Sequence, residues 1–224
     1  MSFKQTPFLI PPQNPTDFVE LMLLSIHSHH PEPQKINRAV DLLLKGEVIA
    51  YPTDTVYGLG CDCTNRKALE KLSKMKQLDN YHLFTFLCDD FTSLSRFAVV
   101  ETHLYRILRR FLPGPYCFIL PATREVPRML QSKRKTVGLR IPSHPVPIAI
   151  SRILGRPLFS TTAALPHEGI SLIDPQEIRD AFPTLSMVLD GGTGGQIPSS
   201  VIDMTSSPPQ VLREGAGSVA EFYL

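Results

Sequence analysis

The sequence predicts a mixed α/β (α+β) fold, an open sheet flanked by helices, and three observations carry that prediction. Strand-like and helix-like apolar patterns alternate through the first half of the chain. Three strand-like segments, SMVLDGG, SSVIDMT and QVLREG, then close it. The stretches between those three are too short for crossover helices, which argues against a purely parallel, doubly wound sheet.

The elements follow in order. Residues 1–24 begin with a proline-rich run of little periodicity and are expected to form a mobile extension, with one domain over 25–224. SIHSHHPEP, residues 25–33, gathers His27, His29 and His30 beside prolines without a cysteine or carboxylate at ligand spacing, so it reads as a surface loop. QKINRAVDLLLKG, residues 34–46, sets Ile36, Ala39, Val40, Leu43 and Leu44 on one helical face and ends at Gly46, a natural stop. EVIAYP reads as a short buried strand.

Further helices are expected over 64–75, 101–112, near 125–132, near 145–154 and over 174–182. Strands are expected at LFTFLC (83–88), CFILPA (117–122), TVGLRIP (136–142) and PLFSTT (157–162). GGTGG at 191–195 follows a strand but leads to proline and another strand, so it is expected to be a hairpin loop rather than a phosphate cradle.

Composition bounds the function. With 224 residues, 42% hydrophobic and 20% charged, the chain can bury one core, and a net charge of +2 gives no global case for nucleic acid or membrane. Cys61, Cys63, Cys88 and Cys117 lie in or beside apolar stretches without zinc or disulfide spacing, and read as buried thiols. No apolar run approaches the roughly 20 residues of a membrane helix, and residues 1–24 lack the pattern of a signal peptide. A soluble, cytoplasmic protein with no bound metal is the expectation.

YPTDTVYGLG, residues 51–60, is where chemistry is best sought. If EVIAYPTDT is extended, Thr53 and Thr55 project from one side and Asp54 from the other. Paired hydroxyls can bind an amino acid or a phosphate, and Gly58 and Gly60 allow close backbone approach. The same residues could equally form a capped turn. Neither a Walker loop nor a catalytic triad is present.

Several separated motifs nevertheless resemble one family. YPTDTVYGLGCD, FLPGPYCFIL, TVGLRIPSHP, SSVIDMT and VLREGAG occur in the order found in the YrdC/YciO family, from about residue 24 to 222. The resemblance implies a YrdC-like open twisted mixed sheet flanked by helices around a basic concave cavity. It also implies the chemistry of L-threonylcarbamoyladenylate synthases: L-threonine, bicarbonate and ATP with Mg²⁺ give threonylcarbamoyl-AMP and pyrophosphate, which feeds tRNA modification.

By that resemblance Lys76 would be catalytic, Thr53, Thr55 and Tyr57 would bind threonine, and Arg140, Ser160, Thr161, Thr162 and Arg213 would bind the nucleotide, ATP or AMP. The residue types suit a reaction that gathers negative charge, because fixed cations and aligned donors stabilise it. Arg140 stands in an otherwise apolar strand, where a buried cation needs an anionic partner. Arg213 could pair with Glu214.

The departures from the synthases are as informative. Leu78 stands where they carry the arginine of a Lys-x-Arg motif, His82 at a later lysine, and Thr162-Ala163-Ala164 where they carry Ser-x-Asn. Each lost charge-assisted contact would cost about 1.5 to 3 kcal/mol. The pattern resembles the YciO branch, so synthase activity is expected to be weak or redirected. The alternative is a non-catalytic module that holds tRNA, double-stranded RNA or a nucleotide, using Lys133, Arg134 and Lys135 with Arg106, Arg109 and Arg110 on phosphates.

Overall fold

The computed structural model describes residues 22–77, 84–127, 130, 134–166 and 169–223. Among these residues it is a mixed sheet of ten strands with six α-helices. In chain order these are β1 (Met22–Ser25), α1 (Pro33–Leu44), β2 (Ile49–Tyr51), β3 (Gly58–Asp62), α2 (Arg66–Lys76), β4 (Thr85–Leu87), α3 (Phe91–Phe97) and α4 (Thr102–Phe111). Then follow β5 (Tyr116–Pro121), β6 (Thr136–Arg140), α5 (Pro145–Leu154), β7 (Leu158–Thr162), α6 (Pro175–Ala181), β8 (Met187–Asp190), β9 (Ser200–Asp203) and β10 (Gln210–Arg213). The strand order is β1-β8-β2-β3-β7-β4-β6-β5-β9-β10.

Local chemistry explains most boundaries. Pro33 and Pro145 open α1 and α5, where a missing N–H costs nothing, and Asn65 caps α2 by accepting from the Ala68 amide at 3.2 Å. Asp90 and Asp174 cap α3 and α6 in the same way. Gly155 ends α5 in the left-handed conformation.

Three expectations are corrected. EVIAYP holds a strand at Ile49–Tyr51, but the extension considered through PTDT does not form: residues 54–56 bend, and GLGCD returns as β3, antiparallel to β2. GGTGG is not a hairpin loop: β8 pairs with β1 and β2 while β9 pairs with β5 and β10, so this run crosses from one half of the sheet to the other. Residues 124–126 form a turn where a helix near 125–132 was expected, and 128, 129 and 131–133 lie outside the described residues. The sheet itself begins at Met22, with β1 parallel to β8.

Alternation along the strands divides the sheet into two faces. Val48, Ala50, Leu59, Phe86, Phe118, Leu139, Phe159 and Ile202 point to one, which α2, α3, α4 and α6 cover. Ile49, Tyr51, Leu158, Met187 and Leu189 point to the other, where α1 and α5 pack with Ile36, Leu43, Val146 and Ile150. That second face is covered from β8 and β2 across to β7 and the end of β4, where Leu158 and Leu87 pack in the same cluster. Towards β6, β5 and β9 its positions are Thr85, Arg140, Gly138, Cys117, Ile119 and Val201, no residue larger than isoleucine apart from Arg140, and there the concave cleft lies.

Candidate functional site

The cleft has two lobes that share Thr85, Ser160, Thr161, Thr162 and Arg213. The first, about 60 Å³, also takes in Thr53, Tyr57, Arg140 and Ser199. The second, about 120 Å³, reaches Cys117, Ile119, Gly138 and Val201. Each is small beside the roughly 300–1,000 Å³ of a drug-sized ligand pocket. A threonine or a phosphate group matches that scale better than a whole nucleotide.

Arg140 is the anchor. It projects from the end of β6 with 7% side-chain exposure, and Nη2 donates to Asp54 Oδ1 at 2.6 Å. Nη1 donates to Thr55 Oγ1 at 3.0 Å and Nε to the Gly114 carbonyl at 3.3 Å. Asp54 is held in turn by the Ser143 hydroxyl at 3.0 Å. The anionic partner demanded by a buried arginine is thus Asp54, which the bend turns towards the Arg140 guanidinium and which lines neither lobe.

The same bend engages the two threonine hydroxyls. Thr53 Oγ1 donates to the Val56 carbonyl at 2.6 Å, accepts from the Thr55 amide at 3.1 Å, and lies 3.2 Å from Thr55 Oγ1. Thr53 lines the first lobe; Thr55 sits behind Arg140. Tyr57 also lines that lobe, but its hydroxyl donates to the Gly192 carbonyl at 2.7 Å and accepts from the Gly191 amide at 3.0 Å. Burial, and the negative charge of Asp190 and Asp174, push this phenol up to about 12 despite the Gly191 contact.

The crossing glycine run therefore braces the bend. A Cβ at Gly195 would lie 1.9 Å from the Thr55 carbonyl oxygen, and one at Gly194 2.7 Å from the Tyr57 ring. Neither contact can be relieved by a flexible side chain. Gly195→Ala is expected to cost about 1 to 3 kcal/mol, the usual range for overpacking. Chemical denaturation of the variant checks it.

Across the cleft, Arg213 Nε donates to the Ser199 carbonyl at 2.9 Å and Nη2 to Ser199 Oγ at 3.3 Å. Among the described residues it forms no ion pair; Glu214 instead accepts from Tyr223. Desolvation, with Arg140 nearby, lowers the Arg213 pKa from its ordinary value. The lining thus holds two guanidinium groups and no carboxylate, with Ser160, Thr161 and Thr162 of β7 between them, the side chains of Ser160 and Thr162 sharing one face of the strand. Such a surface attracts anions.

A family model named Sua5_yciO_yrdC and described as "Telomere recombination" matches residues 41–215. The chain belongs to the Sua5/YciO/YrdC family. It is 42% identical over 199 residues to uncharacterized protein YciO of Escherichia coli K12, an alignment covering 88% of this chain and 97% of that protein. The crystal structure of E. coli YciO aligns with a TM-score of 0.87, at 41% identity, over 90% of this chain and 98% of that one.

More distant members of the family carry an activity in their names. Threonylcarbamoyl-AMP synthase of Pyrococcus abyssi is 29% identical over 190 residues, covering 82% of this chain and 55% of the synthase. A structure of P. abyssi Sua5 complexed with L-threonine aligns with a TM-score of 0.81 at 26% identity, over 90% of this chain and 59% of that one.

Seven of the nine residues that the resemblance nominates line the cleft: Thr53, Tyr57, Arg140, Ser160, Thr161, Thr162 and Arg213. Thr55 touches it through Arg140. Lys76 does not line it. From the last turn of α2 its ammonium donates to the Ala164 carbonyl, two residues beyond Thr162, with 8% of the residue exposed. Burial lowers this lysine to about 8. Leu78 and His82 lie outside the described residues.

Sequence reasoning missed Thr85 and Ser199 and misread Asp54. Strand alternation around Phe86 was the available signal for Thr85; nothing local marked Ser199. Of the basic clusters, Lys133 lies outside the described residues. Arg109 stacks over the Phe91 ring at 5.1 Å and Arg110 pairs with Glu221 at 2.5 Å, so two of the three α4 arginines have intramolecular roles. No cluster of three or more metal-ligating side chains occurs among the described residues, and no helix among them is long and apolar enough to cross a membrane.

Proposed function

We propose that the cleft binds L-threonine and the phosphates of ATP, and that the chain forms threonylcarbamoyl-AMP, at a rate reduced relative to synthases that keep the full motif. The carrying observation is the lining: two arginines and a row of hydroxyls face one cavity with no carboxylate among them. The relatives named as a threonylcarbamoyl-AMP synthase and as a threonine complex support the same reading.

In the reaction the neutral threonine amine condenses with bicarbonate to give a carbamate and water. A carbamate oxygen then bonds to the α-phosphorus of ATP, and the bond to pyrophosphate breaks. Both partners are anionic, so Arg140 and Arg213 would screen their repulsion. Ser160, Thr161 and Thr162 would donate to phosphate oxygens. Mg²⁺, brought in by ATP, fits a site whose lining offers it no protein carboxylate, because the phosphates themselves can hold it.

Thr162-Ala163-Ala164 supplies a hydroxyl but no side-chain amide, which is why the rate is placed low. The test is pyrophosphate release from ATP and Mg²⁺, with threonine and bicarbonate each added and omitted. Release that requires both is expected. Release indifferent to threonine, or none at all with no threonine binding, removes the reading; salt-dependent RNA retention without turnover would install the binding module in its place.

A further inference from the structure

Tyr51 ends β2 opposite Gly58, and its ring reaches across β3 to β7. A Cβ at Gly58 would lie 3.0 Å from that ring and 3.3 Å from Ser160 Oγ, and one at Gly60 would lie 2.6 Å from the tyrosine hydroxyl. Neither glycine has a positive φ, so what they provide is space. Together they leave a notch in β3. The ring fills it, and the hydroxyl emerges 2.6 Å from Ser160 Oγ, on the β7 residue paired with Gly60.

The hydrogen bond has a direction. Tyr51 is fully buried, and Ser160 is its hydroxyl's acceptor. A buried hydroxyl that lost its acceptor would cost about 1 to 3 kcal/mol, so the phenol proton stays on this bond. Desolvation raises the phenol pKa well above its ordinary value, which keeps that proton in place. Ser160 therefore accepts, and its own proton must go elsewhere. Ser160 is 5% exposed and lines both lobes of the cleft, and its hydroxyl has no other hydrogen-bond partner among the described residues.

We infer that Tyr51 is a positioning residue: seated in the Gly58–Gly60 notch, it accepts no other duty than to fix the Ser160 hydroxyl as a donor aimed at a phosphate-type anion in the cleft. This rests on the proposed reading only in that the guest is anionic. It gives the two glycines of YPTDTVYGLG a purpose that neither a turn nor a phosphate cradle supplies.

The experiment is calorimetric titration with sodium pyrophosphate of wild type, Tyr51→Phe, Ser160→Ala and the double variant, with the melting temperature of each. Phenylalanine keeps the ring in its notch and removes only the hydroxyl. Tyr51→Phe is expected to weaken pyrophosphate binding about fivefold, the scale of one neutral hydrogen bond. On the Ser160→Ala background it is expected to weaken it no further. A purely structural role would lower the melting temperature and leave the affinity unchanged, and that result overturns the inference. So does additive weakening in the double variant, or a wild type that does not bind pyrophosphate. If the coupled pattern appears and ATP turnover does not, the synthase reading falls and the role of Tyr51 stands.

Discussion

Arg140→Ala is expected to destabilise the protein by about 3 to 5 kcal/mol, the range for removing one partner of a buried ion pair, and to abolish anion binding in the cleft. Three acceptors, on Asp54, Thr55 and Gly114, converge on this one guanidinium. With alanine, Asp54 is left with the Ser143 hydroxyl as its remaining side-chain partner. Lysine offers no relief, because an ammonium cannot span three acceptors set by a planar fork. Urea denaturation measures the loss. In the double variant Asp54→Ala/Arg140→Ala the sum is expected to fall short of the two single losses, since each single change strands the other group. Additive losses would show that the pair is not the unit that holds the bend.

Lys76→Met is expected to do the opposite to stability while lowering activity. The lysine is buried, its ammonium meets a backbone carbonyl, and no carboxylate pairs with it among the described residues. Desolvation lowers it to about 8 from 10.5. The folded state therefore binds this proton more weakly than the unfolded chain. Below about pH 8 the lysine is charged in both states and its full penalty is present; from about 8 to 10.5 the penalty is relieved and stability rises with pH. The difference corresponds to about 3 kcal/mol as an upper value. Methionine keeps the length and removes the charge. The variant is expected to be more stable than wild type at pH 7, and to lack the rise above pH 8. Equal stability curves would mean that the ammonium is solvated. A cation retained at such a cost suits a site that meets anions, although it stands just outside the lining.

The elements that were legible in the sequence are those whose periodicity and punctuation agree. The helix near 145–154 is found at Pro145–Leu154, opened by proline and closed by Gly155. The strand within TVGLRIP is found at Thr136–Arg140. The segments that were not legible fail for physical reasons. GLGCD carries two glycines that serve a neighbouring ring, so it lacks the β-branched signature of a strand. FTSLSRF is too short to show a period, yet Asp90 caps it into α3. GGTGG gives no sign of its destination, because that depends on the pairing of β9 with β5, distant in sequence.

For the site, the motifs nominated side chains that the fold brings together, but gave no sign of their partners. Seven nominated residues meet in one cleft, while the hydroxyls of Thr53 and Tyr57 are engaged by Val56 and by the glycine run. A single unpredicted bend after Tyr51 reversed Asp54. Local alternation cannot foresee a bend that only a distant arginine rewards.

The position of β8 has a consequence for biogenesis. It lies between β1 and β2, both drawn from the first quarter of the chain, yet its own residues are 187–190. A nascent polypeptide leaving the ribosome thus exposes the flanks of an unfilled slot until residue 190 has emerged. Closure then depends on contacts of very long sequence separation, which slows folding. Translation pauses or truncations before residue 190 leave Met22–Ser25 without its neighbour, and it is at that stage that a nascent-chain chaperone has most to shield.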